Sequence, residues 1–374
     1  VINTALVAGH RRELEGRTIA RNDGYNYGGS HHIMHDEPFW VNFYQFRLFE
    51  SIMNDVLDLS SKAWYIQLAN PVLAGITYLT RKFKNANILG LCTVSTGREV
   101  YGIAEKMGID PQYVSFEMPG VNHFIWLTHF YYKGVDALPM LDDWIRKEEP
   151  KLWETLQPPT TRLIAVDLYK RFHAYPIGDT YSPGGGAWPW WYYATEDSRK
   201  KWKLDPEEHW KRYFSNVEKE LDQFLAVASD PSMKVTDVYP PTKSRGSRTG
   251  GVASIIESIA CQIPRVFQVN IMNSGGFVPG IPLDFEVEVP ALISKVGVRG
   301  IKTDGLPKTL ISYVLRDRVA PVKIELEAYE NGSKERLLEL VMMDPWTRSK
   351  EQAKRLVEDI LALPYHTEMK EHYS

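Results

Sequence analysis

The sequence contains few cysteines, no long apolar run and no excess of charge of either sign. Only Cys92 and Cys261 occur among 374 residues, so we expect no disulfide framework and a reducing, cytoplasmic environment. The formal net charge of −3 does not fit a nucleic-acid-binding protein, which requires a basic surface. No apolar run approaches the roughly 20 residues of a membrane span. We therefore expect neither a nucleic-acid partner nor membrane association.

Two features are absent near the beginning of the sequence. The chain does not start with Met, and it opens directly on an apolar, strand-like run at residues 1–7. The glycine-rich loop that cradles dinucleotide phosphates, G-x-G-x-x-G or a relative, follows none of the predicted strands. We therefore expect a leading segment to precede Val1, and most of any pyrophosphate site to lie outside this sequence.

Apolar periodicity predicts alternating strands and helices in the first part of the chain. Strands are expected at 1–7, 63–69 and 87–91, helices at 39–59 and 72–83, and a polar loop at 11–38. This order favours a parallel α/β sheet, in which ligands collect at the carboxyl ends of the strands. Asn3, Asn70 and Cys92 lie at or just beyond three such ends.

The predicted elements change in character after residue 93. Helices are expected at about 136–149, 159–173, 206–229, 307–328 and 350–361, and strands at 114–118, 265–272 and 285–289. Ser349 is the expected N-cap of the last helix. Long helices with a later run of strands indicate an α+β arrangement.

Cys92 and His123 form the first candidate site. A thiolate and an imidazole are ligands of transition metals, and two protein ligands leave coordination positions open for substrate oxygens. From the residues alone this signal is weak, because a cysteine at a strand end is more often a small buried hydrophobe and a lone histidine is usually an ordinary hydrogen-bonded side chain.

A second group of candidate ligands is His31, His32 and His35. Their spacing would place two of them on one face of a helix. Two glycines precede the group and Pro38 closes it, which argues against a helix. We interpret these histidines as solvated loop residues.

Asp179 and Tyr181 are candidate proton-transfer groups because carboxyl and phenol side chains perform general acid–base chemistry. A helix-capping Asp and a packing Tyr are the alternative. The tryptophans of the following loop, Trp188, Trp190 and Trp191, fit sugar stacking and core packing equally well.

A series of short motifs extends over nearly the whole chain. They are VINTA (1–5), WYIQLANP (64–71), GLC (90–92), PGVNH (119–123), IWL (125–127), LPMLDDWI (138–145), PIGDT (176–180), VEVPAL (287–292) and DPWTRS (344–349). In this order they resemble glycoside hydrolase family 4, the NAD- and metal-dependent glycosidases. The likeness is strongest to the branch that acts on unphosphorylated α-glucosides and related α-glycosides.

The resemblance implies a partial Rossmann-type parallel sheet followed by a larger α+β domain like the C-terminal domain of lactate and malate dehydrogenases. Residues 1–92 would be the remaining half of a Rossmann-like NAD-binding domain, and residues 93–374 the α+β catalytic and substrate domain. It also implies a cytoplasmic homodimer or homotetramer that acts on a small-molecule glycoside.

The resemblance further implies NAD and Mn2+ as cofactors and a redox mechanism. Oxidation at C3 of the sugar would acidify the C2 proton, a base would remove it, the glycosidic bond would leave by elimination, and water would add. Cys92 and His123 would be the metal ligands. Asp179 would be the base, with Tyr181 close enough to compete. The remaining site residues would be Asn3, Thr4 and Asn70 for the cofactor, and Asn70, Asn122 and Thr93 for the substrate.

Four positions depart from the family pattern. Thr93 follows the metal-binding cysteine where His or Asp is common, and Ser30 stands where many relatives place an Asp. Ser182 replaces an expected Arg, and Val252 an expected His. A carbohydrate-binding relative that has lost hydrolysis is therefore the alternative function. The cysteine–histidine pair argues against a third reading, a plain NAD-dependent dehydrogenase of the lactate/malate type.

Overall fold

The computed structural model describes residues 1–7, 9–25, 32–35, 37–92, 97–155, 162–182, 188–238 and 251–374. The first elements are β1 (Ile2–Asn3), α1 (Gly9–Asn22), α2 (Phe39–Ser60), β2 (Trp64–Gln67), α3 (Val72–Lys82) and β3 (Asn87–Gly90). β1, β2 and β3 pair in parallel. The parallel α/β arrangement predicted for this part of the chain is therefore confirmed.

The remaining elements follow in two groups. The first group is α4 (Arg98–Lys106), β4 (Val114–Glu117), β5 (Gly120–Val121), β6 (Phe124–Leu127), β7 (His129–Tyr132), β8 (Val135–Asp136), α5 (Leu138–Thr155), α6 (Arg162–Phe172), β9 (Tyr175–Ile177), α7 (Glu196–Trp202), α8 (Pro206–Ser229) and α9 (Val235–Val238). The second group is α10 (Val252–Ala260), β10 (Arg265–Met272), β11 (Glu286–Ser294), β12 (Gly297–Gly300), α11 (Lys308–Val314), α12 (Ala320–Asn331), α13 (Lys334–Met342), α14 (Lys350–Leu361) and α15 (Thr367–His372).

One mixed sheet connects the two parts of the chain. Its strand order is β1-β2-β3-β10-β11-β5-β6-β9, and β12 pairs with β11 beside this path. β10 pairs antiparallel with β3 and with β11, so late strands extend the sheet that the first strands begin. A separate three-stranded sheet has the order β4-β7-β8.

The apolar core lies between this sheet and the helices that cover it. α3 contacts β3, β10 and β11, and its residues from Val72 to Leu79 are all buried. α2 packs on α3 and buries an aromatic stripe that includes Phe43, Phe46 and Phe49. These are the positions at which the sequence shows helical spacing of apolar residues. No helix within the described ranges is both long enough and apolar enough to cross a bilayer.

The prediction of a loop from residue 11 to residue 38 is wrong, because α1 occupies much of that stretch. The buried face of α1 carries Glu13 and Arg17, which form an ion pair of 2.8 Å, and the small residues Gly16 and Ala20, but no large apolar side chain. The Arg17 guanidinium carbon lies 3.6 Å from the centre of the Trp210 ring on α8. A helix that packs through a charge pair and a cation–π contact shows no apolar periodicity, so the pattern gave no signal.

Two other elements differ from the predictions. β1 is two residues long rather than seven, because the Asn3 side chain accepts a hydrogen bond from the Ala5 N–H at 3.0 Å and turns the backbone. The helix predicted over 307–328 is divided into α11 and α12 by a π-helical stretch, Leu315–Val319, directly before Pro321. The Ser349 cap is confirmed: its hydroxyl accepts from the Gln352 N–H at 3.1 Å.

Candidate active site

Cys92 and His123 meet in the structure. The Cys92 Sγ lies 3.4 Å from the His123 Nε2, although the residues are 31 positions apart in sequence. Cys92 is half-buried just beyond β3, and His123 is 5% exposed in the turn between β5 and β6. The His123 backbone has a φ of 57°, a left-handed conformation that is uncommon for a residue other than glycine.

The sheet explains why these two side chains converge. A row of paired residues runs across four neighbouring strands: Gly90 on β3, Asn270 on β10, Glu288 on β11 and Gly120 on β5. Cys92 follows the first of these residues by two positions, and the turn that bears His123 follows the last. A Cβ at Gly120 would lie 2.1 Å from the Phe124 carbonyl oxygen, so the tight turn requires glycine there.

Two buried carboxyl groups, Glu286 and Glu288, lie beside this turn. Glu286 accepts hydrogen bonds from the Asn270 side chain at 2.7 Å and from the Asn122 N–H at 3.2 Å. Glu288 accepts from the side chains of Asn270 at 3.1 Å and Asn122 at 3.4 Å. Burial raises the pKa of Glu288 to about 7 and that of Glu286 well above its usual value. Neither carboxyl group was predicted from the sequence.

A third buried carboxyl and a buried guanidinium lie near the same turn. The Arg318 side chain is fully buried and donates to the His123 carbonyl oxygen at 3.4 Å. Burial lowers the pKa of Arg318 and raises that of Glu37, while the charges of His123, His32 and Arg318 act in the opposite direction on Glu37. Neither residue was assigned a role from the sequence: Arg318 stands in a segment without a recognisable motif, and Glu37 closely follows the histidine group that was interpreted as a solvated loop.

The interpretation of the histidine group as solvated is wrong for the two members that the structure describes. His32 and His35 are both almost completely buried. The His32 Nδ1 lies 2.7 Å from a carboxylate oxygen of Glu325, which also accepts from the Asn42 side chain at 2.8 Å. The third member, His31, lies outside the described residues. His32 and His35 therefore lie in a buried polar cluster rather than in an exposed loop.

Asp179 and Tyr181 lie in the short helical turn Gly178–Tyr181 that follows β9. β9 pairs with β6, the strand that begins directly after His123. The Thr180 hydroxyl donates to the Ile125 carbonyl at 3.0 Å and accepts from the Ile125 N–H at 2.9 Å. The turn is therefore attached to the strand that carries the histidine.

The two candidate bases in this turn have different surroundings. Tyr181 donates its hydroxyl proton to Glu99 on α4 at 2.8 Å, and Glu99 also accepts from the Gly178 N–H at 2.7 Å. Burial, together with the Glu99 charge, raises the pKa of Tyr181 well above 10. Asp179 is half-buried and accepts a hydrogen bond from the Ser182 hydroxyl at 2.9 Å.

The predicted cofactor residues lie at the carboxyl ends of β1 and β2. Asn3 is buried and donates to the Tyr65 hydroxyl at 2.8 Å, whereas the next residue, Thr4, is exposed. Asn70 is half-buried, and its carbonyl accepts from the Gln45 side chain at 2.7 Å. In the paired register, Asn3 stands beside Gln67 and Gln67 beside Gly90, so these strand ends and Cys92 share one edge of the sheet.

The structure describes two of the four positions that depart from the family pattern. Thr93 and Ser30 lie outside the described residues. Ser182 supplies the hydrogen bond to Asp179, while Val252 packs against an apolar cluster that includes Ile255.

The tryptophans after the turn belong to the aromatic core. Trp188 is fully buried and packs against Phe124 and Trp126, with ring centres 4.9 and 5.4 Å apart. Trp190 and Trp191 are half-buried against the same core.

Comparison with protein families assigns most of the chain. Residues 11–108 match the family described as "Family 4 glycosyl hydrolase", and residues 118–347 match "Family 4 glycosyl hydrolase C-terminal domain". An "Alpha-galacturonidase" of Lachnoclostridium phytofermentans is 23% identical over 338 residues, which are 84% of this chain and 68% of that protein. An "Alpha-glucosidase" of Erwinia rhapontici is 26% identical over 338 residues, covering 81% of this chain and 68% of the relative.

Solved structures share the fold. A 6-phospho-alpha-glucosidase from gut microorganisms, determined with NAD and Mn2+, superimposes with a TM-score of 0.71 at 17% identity, covering 97% of this chain and 80% of its own. The 6-phospho-beta glucosidase of Thermotoga maritima, determined with NAD and glucose-6-phosphate, gives 0.69 at 20% identity, covering 100% of this chain and 81% of its own. The family matches, which together span the strands that carry Cys92 and His123, confirm the resemblance seen in the motifs: the chain belongs to glycosyl hydrolase family 4, a family of glycosidases.

Proposed function

We propose that this chain is an α-glycosidase that cleaves O-glycosidic bonds by a redox, elimination and addition sequence that depends on NAD and Mn2+. The observation that carries the proposal is the 3.4 Å approach of the Cys92 Sγ to the His123 Nε2 at the carboxyl edge of the sheet. The relatives named alpha-glucosidase and alpha-galacturonidase support an α-glycoside as the substrate class.

The cysteine–histidine pair has a geometry that suits a shared metal ion. In a tetrahedral zinc site, the metal–sulfur distance is about 2.3 Å and the metal–nitrogen distance about 2.0–2.1 Å. A sulfur and a nitrogen bound to the same ion therefore lie about 3.5 Å apart. The observed separation of 3.4 Å agrees with that value. Two protein ligands leave further positions for sugar hydroxyls, and a solved relative with Mn2+ supports manganese as the ion.

The first three strands suit a dinucleotide. Parallel strands present ligands at their carboxyl edge, where Thr4 is exposed and Asn70 is half-buried. The Asn3 amide donates to Tyr65, so we assign Asn3 the role of shaping this edge. The proposal includes the domain boundary at residue 92, with residues 1–92 contributing to the NAD site and residues 93–374 holding the sugar.

The proposed reaction consists of five steps at the sugar: oxidation, proton removal, elimination, addition of water and reduction. The C3 hydroxyl group loses a hydride and a proton to become a ketone, C2 loses a proton, and the C1–O bond breaks by elimination while the departing oxygen takes up a proton. Water then adds across C1 and C2, with its hydroxyl on C1 and a proton on C2, and a hydride and a proton return to the C3 carbonyl. When bound, NAD would supply the hydride acceptor and Mn2+ positive charge beside the sugar oxygens. Asn122, fixed by Glu286 and Glu288, would bind the sugar next to the metal ligands, together with Thr93.

We assign the removal of the C2 proton to Asp179 rather than to Tyr181. The Tyr181 hydroxyl already donates to Glu99, and its raised pKa leaves little phenolate near neutral pH. Asp179 is partly exposed, and the hydrogen bond from Ser182 orients one carboxylate oxygen while leaving the other for substrate.

The experiment is hydrolysis of aryl α-glycosides by the full chain with NAD and Mn2+ under reducing conditions. In D2O, the proposed removal and return of the C2 proton places deuterium at C2 of the product sugar, which direct hydrolysis does not do. Cys92→Ser and His123→Ala should abolish turnover. Cys261→Ser is the matched control, because Cys261 is the other cysteine and is exposed. Unchanged rates in the first two variants, or a product without deuterium, would contradict the proposal.

The packing of Val252 favours one alternative, a carbohydrate-binding protein without hydrolysis. Val252 lies against apolar side chains where the family pattern has a histidine, so this position offers no polar contact to sugar or metal. Calorimetry distinguishes the two functions. Sugar binding that is unaffected by omission of NAD and Mn2+, with no turnover, would support the alternative.

A further inference from the structure

Three potential metal ligands converge outside the candidate active site. Glu117 is the last residue of β4 and His129 the first of β7, and the two residues are direct cross-strand partners. Asp304 lies in the segment between β12 and α11. Among the described residues, these three form a group whose ligand atoms all lie within 4.8 Å of one another.

The imidazole of His129 stands between the two carboxylates. Its Nδ1 lies 3.5 Å from Glu117 Oε2, and its Nε2 lies 3.4 Å from Asp304 Oδ2. Both separations exceed the 2.7–3.2 Å of an ordinary N–H···O hydrogen bond. Neither carboxylate therefore closes to hydrogen-bond distance on the imidazole, although all three residues offer ligand atoms within 4.8 Å of one another.

We propose that Glu117, His129 and Asp304 bind a divalent transition-metal ion, with Zn2+ as the best match. A nitrogen and two carboxylate oxygens are a donor set that Zn2+ accepts at about 2.0–2.2 Å, with a fourth position left for water. Ligand atoms on one tetrahedral ion lie about 3.4 Å apart, so the more distant pairs of this group, which lie within 4.8 Å, must close by up to about 1.4 Å. Asp304, whose side chain is 84% exposed, is free to make that movement.

The surroundings prepare the histidine for this role. The His129 Nδ1 lies 3.2 Å from the Thr128 hydroxyl, so Nδ1 can keep its proton on that oxygen while Nε2 binds the ion. A metal-bound histidine usually has such an acceptor on its second nitrogen. The adjacent Thr303 is anchored to the Phe277 carbonyl through its N–H and its hydroxyl, both at 2.9 Å, which fixes the backbone that presents Asp304.

The site would connect two otherwise separate parts of the molecule. Glu117 and His129 belong to the three-stranded sheet, whereas Asp304 follows β12, which pairs with the large sheet. A bound ion would therefore clamp the small sheet to the segment between β12 and α11. This role is independent of turnover at Cys92 and His123.

The test is a calorimetric titration of Zn2+ into the full chain that carries Cys92→Ser and His123→Ala, which removes the other candidate metal site. We expect one site per chain. Adding His129→Ala or Asp304→Asn should weaken Zn2+ binding at least about tenfold, as expected when a ligand is lost. Asp304→Asn is the safer variant for folding, because that side chain is largely exposed.

His10→Ala is the matched control. His10 is also a partly exposed histidine near a carboxylate, with 3.2 Å between its Nδ1 and Glu13, but it faces a single carboxylate. This variant should bind Zn2+ as the parent does. Co2+ should give visible absorption bands of a low-symmetry site in the parent and lose them in Asp304→Asn. Equal Zn2+ affinity across all the variants, or loss with His10→Ala as well, would overturn the proposal and leave simple ion pairs.

Discussion

Asp179 and Tyr181 lie two residues apart, yet their environments give them different chemistry. Asp179→Asn removes the proposed base, so we expect kcat to fall by about 10²–10⁴-fold. Tyr181→Phe removes one hydrogen bond to Glu99, so it should lower the free energy of unfolding by about 1–3 kcal/mol and leave most of the turnover. The measurements are steady-state kinetics and urea unfolding of both variants. A folded Tyr181→Phe protein as inactive as Asp179→Asn would assign the base to Tyr181 instead.

Glu288 gives the stability of the protein a dependence on pH. Its pKa rises from 4.5 to about 7 in the folded chain, so the folded state holds a proton that the unfolded state releases. This stabilising contribution is complete below the unfolded pKa and is lost as the pH rises through the folded value. Two other titratable groups interact electrostatically with this cluster: Glu286 on the same strand as Glu288, and His123 in the neighbouring turn.

We therefore expect the free energy of unfolding to fall by about 1 kcal/mol between about pH 6 and pH 8 from this group. Urea unfolding of the metal-free chain at the two pH values measures the change. Glu288→Gln, which cannot titrate, should flatten the dependence over this interval. The same slope in that variant would show that another group is responsible.

At the residue scale, the sequence predicted the meeting of the Cys92 and His123 side chains but not the buried polar groups around them. Cys92 and His123 were identified because their side chains are chemically distinctive and each follows a strand or opens an apolar run. Glu286 and Glu288 were missed because the apolar segment around them was interpreted only as a strand. Acidic residues at alternate positions of such a strand fall on one face, and that pattern was the available signal.

At the scale of elements, α1 is positioned by a glycine. A Cβ at Gly16 would lie 2.2 Å from Cε2 of Trp40 on α2, inside the body of a fully buried indole. Gly16→Ala should therefore lower the free energy of unfolding by about 1–3 kcal/mol, because neither helix can move apart without opening the core. Chemical denaturation measures this change.

Gly102 on α4 provides the control for this substitution. A Cβ there meets no atom within 4 Å, so Gly102→Ala should stabilise the protein by up to about 1 kcal/mol through helix propensity alone. Equal changes in stability for Gly16→Ala and Gly102→Ala would contradict the prediction. They would show that glycine at position 16 is not required by the close packing of α1 on Trp40.

The elements that the sequence predicted well are those with an apolar face. α2, α3 and α8 begin and end within one or two residues of their predicted bounds, because their periodicity or their capping residues mark them. α1 was missed because its buried face consists of an ion pair, a glycine and an alanine. Periodicity detects apolar burial and is insensitive to a helix that packs through charge.

At the scale of the whole molecule, an ion bound by Cys92 and His123, as proposed, would connect several strands of the large sheet. Cys92 and His123 are joined through β3, β10, β11 and β5, so an ion bound by both holds that whole section in the folded state. We expect Mn2+ at about 100 times its Kd to raise the free energy of unfolding by about 2.7 kcal/mol. Thermal unfolding with and without Mn2+ is the measurement.

His123→Ala should remove this Mn2+-dependent stabilisation, and Cys261→Ser should retain it. Stabilisation by Mn2+ that persists in His123→Ala would place the ion elsewhere in the chain. The three-dimensional neighbourhood behind this prediction could not be derived from the sequence, because β10 and β11 insert between β3 and β5, which lie about 170 residues earlier in the chain. The oligomeric state and the cellular compartment stay predictions.

The double hydrogen bond between Thr180 and Ile125 has a consequence for how specificity can change. His123 precedes the first residue of β6 and Asp179 follows the last residue of the antiparallel β9, so both lie at the same end of this strand pair, and a displacement of one would move the other. We therefore expect substitutions that change the sugar accepted to lie in the segments bordering this unit, because a change within it would alter the spacing between the His123 imidazole and the Asp179 carboxylate.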